Sequence, residues 1–314
     1  MKTKVFLTSL FLFCAFFSAE AQTADEYYNL SKEKLKKKDY NYAKTLIDKS
    51  IALDSTNVWT WLLSAEINLG LNQVQEAFYD YGSAIRIDST VAEIYNRVAD
   101  LYTSINYLEE SIFFYDKAIE YAKSDTMKFN YLMNRASAKG ILRDFEGGIA
   151  DLEDGLKIDS TNSLILNNLP MFYQEVGQVD KAIKILNTSV RLYPEFNGSM
   201  INLGLIYSEI DSLDKSEFYF NMAMEIDPKD PLLLNNRGYL FLKKKEYDKA
   251  LKDINESLNI YPNNSYAYRN RALVYIELEL IEEACRDLSI AEHYNFKTRY
   301  GDEVQILKEK YCKE

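Results

Sequence analysis

A single histidine, His293, is all the imidazole that these 314 residues contain. That excludes a two-histidine metal site and argues against a nucleophile activated by a neighbouring imidazole, so neither a metal, a cofactor nor a hydrolase triad is expected, and the chain reads as a non-enzyme. Glycine and proline are scarce, at 11 and 5 residues, while 47% of the chain is hydrophobic. This composition excludes a disordered or fibrous chain and demands a substantial buried core. Basic charge is in deficit: 37 lysines and arginines face 48 carboxylates, for a net charge of −11. Broad contact with nucleic-acid phosphates or anionic lipid is therefore not expected, and the partners should be proteins or neutral ligands.

Long apolar runs are missing as well. The one candidate, Val5 to Phe17, follows Lys2 and Lys4 and ends in Ser18-Ala19-Glu20-Ala21-Gln22. It is too short to cross a bilayer core about 30 Å thick, and its flanks are those of a secretory signal. Residues 1–21 are expected to be cleaved before Gln22, sending the chain to the periplasm, or alternatively to the envelope or outside the cell. Cys14 follows Phe13 rather than a small residue, which makes lipidation the weaker option. No later stretch is apolar enough to span a membrane.

What the chain does have is an internal repeat. Rows beginning at Ala24, Val58, Ala92, Phe129, Ser163, Asn197, Pro231 and Ser265 are 34 residues apart except between rows three and four, where the spacing is 37. The twentieth place is always small: Ala43, Ala77, Ser111, Gly148, Ala182, Ser216, Ala250, Ala284. So is the twenty-seventh, from Ser50 and Ala84 to Ala291, whereas the twenty-fourth is always large and apolar, from Ile47 to Leu288. Small residues let two helix axes approach closely, and large ones fill the space beside the crossing. Within each row, apolar residues fall three and four apart in two blocks, so each row reads as a helical hairpin. Tyr193-Pro194, Asp227-Pro228 and Tyr261-Pro262 end three of the second blocks, because proline disfavours helical geometry in the residue before it.

These residues resemble the tetratricopeptide repeat, whose 34-residue period they share. Row six is the most complete, with Met200, Leu203-Gly204, Tyr207, Ser216, Phe220, Ala223 and Pro228. The resemblance covers residues 24–295 as eight repeats, and row one departs most, having Lys34 where a large apolar residue is expected. It implies an all-α fold, a right-handed superhelical α-solenoid of helical hairpins, that binds a protein or extended peptide in a concave groove.

Three further patterns sit on this frame. Two irregularities come first: three extra residues near Lys123-Ser124-Asp125-Thr126, expected as a longer helix end or a loop, and Pro170 inside a first helix, expected either as tolerated drift or as a bend separating repeats one to four from five to eight. Next, Arg135, Arg237 and Arg271 occupy the seventh place of their rows, and Asp151, Asp253 and Asp287 stand 16 residues later. Arginine and aspartate appear and vanish together, except that Ser64 faces Asp80, so structural salt bridges across each hairpin are expected. Finally, residues 296–314, with Tyr300, Val304, Leu307 and Tyr311 at helical spacing, should form a helix that closes the array. Cys285 and Cys312 in these last elements are a candidate disulfide.

For the groove, the resemblance implies that certain places of each first helix line it. Asparagine fills the sixth place in five consecutive rows, Asn134, Asn168, Asn202, Asn236 and Asn270, joined by Asn130, Asn167 and Asn235. An amide donates and accepts at once, which suits an extended peptide backbone; the same residues are equally able to bond neighbouring helices. Groove aromatics are Tyr28, Trp59, Tyr239 and Tyr266, and they define an alternative function, a receptor for neutral glycans. Five Asp-Ser/Thr triplets resemble the motif that some Gram-negative bacteria O-glycosylate after export, implying Ser55, Ser89, Thr126, Ser160 and Ser212 as acceptors; turn formation is the competing explanation for those following Asp54, Asp88 and Asp159.

Overall fold

The computed structural model describes residues 23–297 and 301–312. The expected signal segment and Tyr300 lie outside the described residues, among which there are seventeen bounded helices and no strand.

The chain forms two compact units, dividing between Tyr131 and Leu132. The first holds α1 (Ala24–Lys36), α2 (Tyr40–Leu53), α3 (Val58–Gly70), α4 (Val74–Ile87), α5 (Ala92–Ser104), α6 (Leu108–Glu120) and the start of α7 (Asp125–Ile141). The second holds the rest of α7, then α8 (Phe145–Ile158), α9 (Ser163–Glu175), α10 (Val179–Leu192), α11 (Asn197–Glu209) and α12 (Leu213–Ile226). It ends with α13 (Pro231–Lys243), α14 (Tyr247–Ile260), α15 (Ser265–Glu277), α16 (Ile281–His293) and α17 (Glu303–Tyr311). Odd and even helices pair as hairpins, and within each unit each hairpin packs on the next.

Local chemistry sets the helix starts. The backbone N–H groups of Thr23 and Glu26 each donate to the other's side chain in a capping box ahead of α1, and Asp230 accepts from the N–H groups of Leu232 and Leu233 ahead of α13, whose first residue is Pro231. The small places are buried as their size requires. Ala43, Ala77, Ala182, Ala250 and Ala284 are fully enclosed, and so are the large partners Ile47, Leu186, Phe220, Ile254 and Leu288. At Gly204 a Cβ would stand 2.5 Å from the Phe220 ring, so the close approach of α11 and α12 requires glycine there. Serine is tolerated at small places because its hydroxyl finds a backbone acceptor. Ser50 and Ser257 donate to the first carbonyls of their own rows, Ala24 O at 2.8 Å and Pro231 O at 2.6 Å.

Every hairpin turns on one residue in the left-handed conformation: Lys38, Asn72, Asn106, Arg143, Gly177, Asp211, Lys245 and Glu279, with φ between 58° and 73°. The next residue then donates back to the carbonyl five positions earlier, as in Gln73 N to Asn68 O at 2.8 Å and Glu246 N to Phe241 O at 2.8 Å. This satisfies a carbonyl the helix end would leave unpaired.

The extra residues between rows three and four are absorbed as helix. α7 has 17 residues where the other first helices have 13, so it begins at Asp125 rather than at Phe129, and α6, like α16, has 13 residues where the other second helices have 14. α9 runs unbroken through the buried Pro170, which lies well inside the second unit, so no division of the chain falls there. The closing helix α17 follows Gly301 (φ 85°) and buries Val304 against Ala272, Ala284, Leu288, Ala291 and Phe296. Cys312 at its end is bonded to Cys285 of α16, with Cα atoms 5.6 Å apart.

Candidate functional site

The first helices of the second unit pack on one another, α11 on α13 and α13 on α15, and carry the asparagine file. Its members differ in setting. Asn168 is exposed, and Asn134, Asn167, Asn202 and Asn236 are half-buried. Asn235 and Asn270 are enclosed and bonded to each other across α13 and α15, Nδ2 of Asn270 donating to Oδ1 of Asn235 at 3.0 Å. Within a helix the amides also meet in sequence neighbours: Asn167 donates to Asn168 at 3.3 Å and Asn235 to Asn236 at 3.4 Å. The open part of the file is thus around α9 and α11, and its far end knits two helices. Asn130, exposed, belongs to the first unit.

Beside Asn168 the second unit has an apolar cleft of about 330 Å³, lined by Met133, Gly140, Ile141, Met171 and Phe172 among others, none of them charged. Glycine shapes it: a Cβ on Gly140 or Gly148 would stand 2.7 or 2.3 Å from the Phe172 ring. Ile141 and Met171 remain more than half exposed at its rim.

Arg269 shows what sequence reasoning missed. A basic residue at a groove place, it is enclosed (7% exposed), its guanidinium 5.4 Å from the ring centres of both Tyr239 and Tyr266. It donates to Asn270 Oδ1 at 2.6 Å and to the Glu303 carboxylate of α17. Tyr266 in turn stacks on Phe296. Tyr239 and Tyr266 therefore hold an arginine, and the closing helix supplies its counter-charge. Glu303 was invisible as a partner because only the placement of α17 brings it to Arg269. Other groove charges are likewise paired within the chain. Arg143 reaches Glu175 at 3.3 Å, and Lys243 donates to Ser208 O and lies 3.4 Å from Asp211. Burial pushes the Glu209 carboxyl up, against the opposing pull of Lys243.

The arginine–aspartate pairs lie across their hairpins, each bidentate: Arg135–Asp151 at 3.0 and 2.5 Å, Arg237–Asp253 at 2.6 and 3.0 Å, Arg271–Asp287 at 2.7 and 2.8 Å. Lys139 adds a second cation to Asp151 at 3.0 Å, and Asn255 accepts from Arg271 at 2.7 Å. Where the ladder lacks its arginine, Asn68 donates to Asp80 at 2.7 Å, and burial raises the Asp80 carboxyl above its ordinary value.

Asp54, Asp88 and Asp159 cap the C-termini of α2, α4 and α8, each accepting from the N–H and hydroxyl of the threonine two residues on. These bonds hold the Asp54 and Asp88 carboxyls below their ordinary value, and the Asp159 carboxyl is held down first by the Asn162 side chain, donating at 3.1 Å, and then by Thr161. Ser55, Ser89 and Ser160 sit exposed in these turns, Thr126 lies in the first turn of α7, and Ser212 precedes α12 half-buried.

Among the described residues no helix is long and apolar enough to cross a membrane. A family model described as tetratricopeptide repeat matches residues 231–264, and a second of the same description matches 92–125 and 198–230. These are rows seven, three and six. Solved structures similar to the chain include a tetratricopeptide repeat protein from Parabacteroides merdae (15% identity, TM-score 0.68, covering 82% of this chain and 99% of that one). Another is the C-terminal part of a TPR repeat-containing protein from Cytophaga hutchinsonii (15% identity, TM-score 0.64, 77% and 98%). A third is yeast Tom70 (16% identity, TM-score 0.56, 93% and 65%). At such identities the likeness is one of fold. No curated protein matches the sequence. With the period, the buried small places and the repeat models in agreement, this chain is built from tetratricopeptide repeats.

Proposed function

We propose that the chain is a non-catalytic scaffold of the bacterial periplasm that holds a segment of a partner protein against the first helices of its second unit. The observation that carries this reading is the neighbourhood of Asn168: an exposed amide, with half-buried amides at Asn134 and Asn202, beside an uncharged apolar cleft. Amides can pair with an extended backbone while the cleft takes an apolar side chain, so affinity and selectivity come from separate parts of one surface. The repeat fold supports an interaction scaffold, and the signal-like N-terminus supports export.

Crosslinking and affinity purification from the native envelope will identify the partner. Binding of its contacting peptide should weaken about tenfold, about 1.4 kcal/mol, in the Asn168→Ala, Asn202→Ala double variant, and about as much in Ile141→Asp. Unchanged affinity in both variants, with helicity intact, would remove the second unit's face from the mechanism.

A further inference from the structure

The first unit has a cleft of its own, of about 340 Å³, between α1, α3 and α5, and its chemistry differs from that of the second unit. One wall is aromatic. Trp59, at the start of α3, is 52% exposed, and Tyr28 of α1 lines the same space. Leu62, Leu63 and Met127 add apolar lining, and the charges of the rim are balanced: Lys32 and Arg97 against Glu66 and Glu93. Arg97 lies between the two carboxylates, Nε donating to Glu93 at 2.8 Å and Nη1 to Glu66 at 3.4 Å. The other Glu93 oxygen accepts from the Tyr131 hydroxyl at 3.3 Å. Burial first, and Glu66 second, push the Tyr28 hydroxyl up, so it stays protonated and able to donate.

We infer that this cleft is a binding site for a short neutral saccharide. The charges of the rim cancel, so they exert no net pull on an anion or a cation, and Arg97 is already neutralised by two carboxylates. What they offer is a ring of strong donors and acceptors, the Lys32 ammonium, the Tyr28 hydroxyl and the Glu66 carboxylate, around an open indole face. Sugar hydroxyls both donate and accept, so one polyol meets carboxylate and ammonium alike. The C–H face of a pyranose supplies the apolar surface that a half-exposed tryptophan leaves uncovered. A purely apolar side chain would offer the Lys32 ammonium no acceptor in exchange for water, at a desolvation cost. The volume stands at the small end of ligand pockets, about 300–1,000 Å³.

The sequence has two tryptophans, so Trp61→Phe leaves Trp59 as the sole indole reporter of the cleft. This full-length variant is titrated with neutral hexasaccharides of glucose, of xylose and of N-acetylglucosamine. A saturable change in Trp59 emission with at least one of them is expected, with a dissociation constant of about 0.1–1 mM. Calorimetry with the same sugar should then show affinity at least about tenfold weaker in Trp59→Ala and in Glu66→Gln, and unchanged in Asn168→Ala. Trp59 is about half exposed and lies at the start of α3, so its replacement should leave the helical spectrum as it was and lower the melting temperature only modestly. Absence of a saturable signal with all three sugars overturns the inference, and so does equal sugar affinity in Trp59→Ala. Peptide capture abolished by Trp59→Ala but kept by Asn168→Ala would reassign the cleft to a protein ligand and also overturn it.

Discussion

Replacing Arg237 by leucine while Asp253 stays leaves a carboxylate that is 5% exposed without the two N–H groups that now meet it at 2.6 and 3.0 Å. Breaking a buried pair from one side costs about 3–5 kcal/mol, because the remaining charge keeps its desolvation penalty and loses its compensation. Replacing both residues by leucine removes the penalty together with the attraction, so the double variant should lie close to the native protein, within about 1–2 kcal/mol. Arg237 also packs over the Phe241 ring at 5.6 Å, and leucine keeps part of that apolar contact. Row four supplies an internal comparison. Asp151 is held by Arg135 and also by Lys139 at 3.0 Å, so Arg135→Leu leaves one cation in place and should cost clearly less than Arg237→Leu. Repeat arrays unfold piecewise, so the assay is hydrogen exchange resolved to each hairpin, supported by urea midpoints of the whole chain. The reasoning fails if Arg237→Leu costs no more than the double replacement, or if Arg135→Leu costs as much as Arg237→Leu.

Lys245→Gly should stabilise its hairpin by about 0.5–1 kcal/mol, since a left-handed L-residue costs about 1–2 kcal/mol and glycine returns part of that as unfolded-state entropy; Gly177→Ala should lose about 1 kcal/mol, with crowding excluded because nothing lies within 4 Å of the added Cβ. Equal urea midpoints for these variants and the native chain would count against the turn assignment. Burial holds the Asp80 carboxyl above its ordinary value of 3.8, with Lys44 and Asp48 as the nearby charges, so the folded chain keeps that proton more readily than the unfolded chain. Its contribution to stability is present at low pH and is lost as pH rises through the raised folded value. The advantage of Asp80→Asn over the native protein should therefore grow between about pH 4 and pH 7, and a difference that stays flat across this range would refute it.

How far the sequence spoke depended on whether a feature was periodic. The 34-residue spacing located every first helix but that of row four, because two packed helices and two turns impose a fixed repeat on small and large residues alike. The ladder was legible for a related reason: arginine and aspartate 16 residues apart meet across any hairpin of this length. The turn residues were not, although they too recur, since Lys, Asn, Arg, Gly, Asp and Glu share the left-handed place and only some of these types favour it. Backbone geometry there is dictated by the back-bonded helix end, which any residue can complete at a modest cost. The site was the least legible, because periodicity names a place and says nothing of what stands opposite.

Asn202 and Asn270 share a place in the repeat, yet one is half-buried and the other is sealed against Asn235. Arg97 and Arg269 are both cations of first helices, and each is paired with a carboxylate of its own unit: Glu93 four residues away, Glu303 on the closing helix. A cation paired in this way within its own unit exerts little net attraction on a partner. Recognition at the uncharged cleft beside Asn168 should therefore change little with salt, whereas recognition by charge would weaken as salt rises.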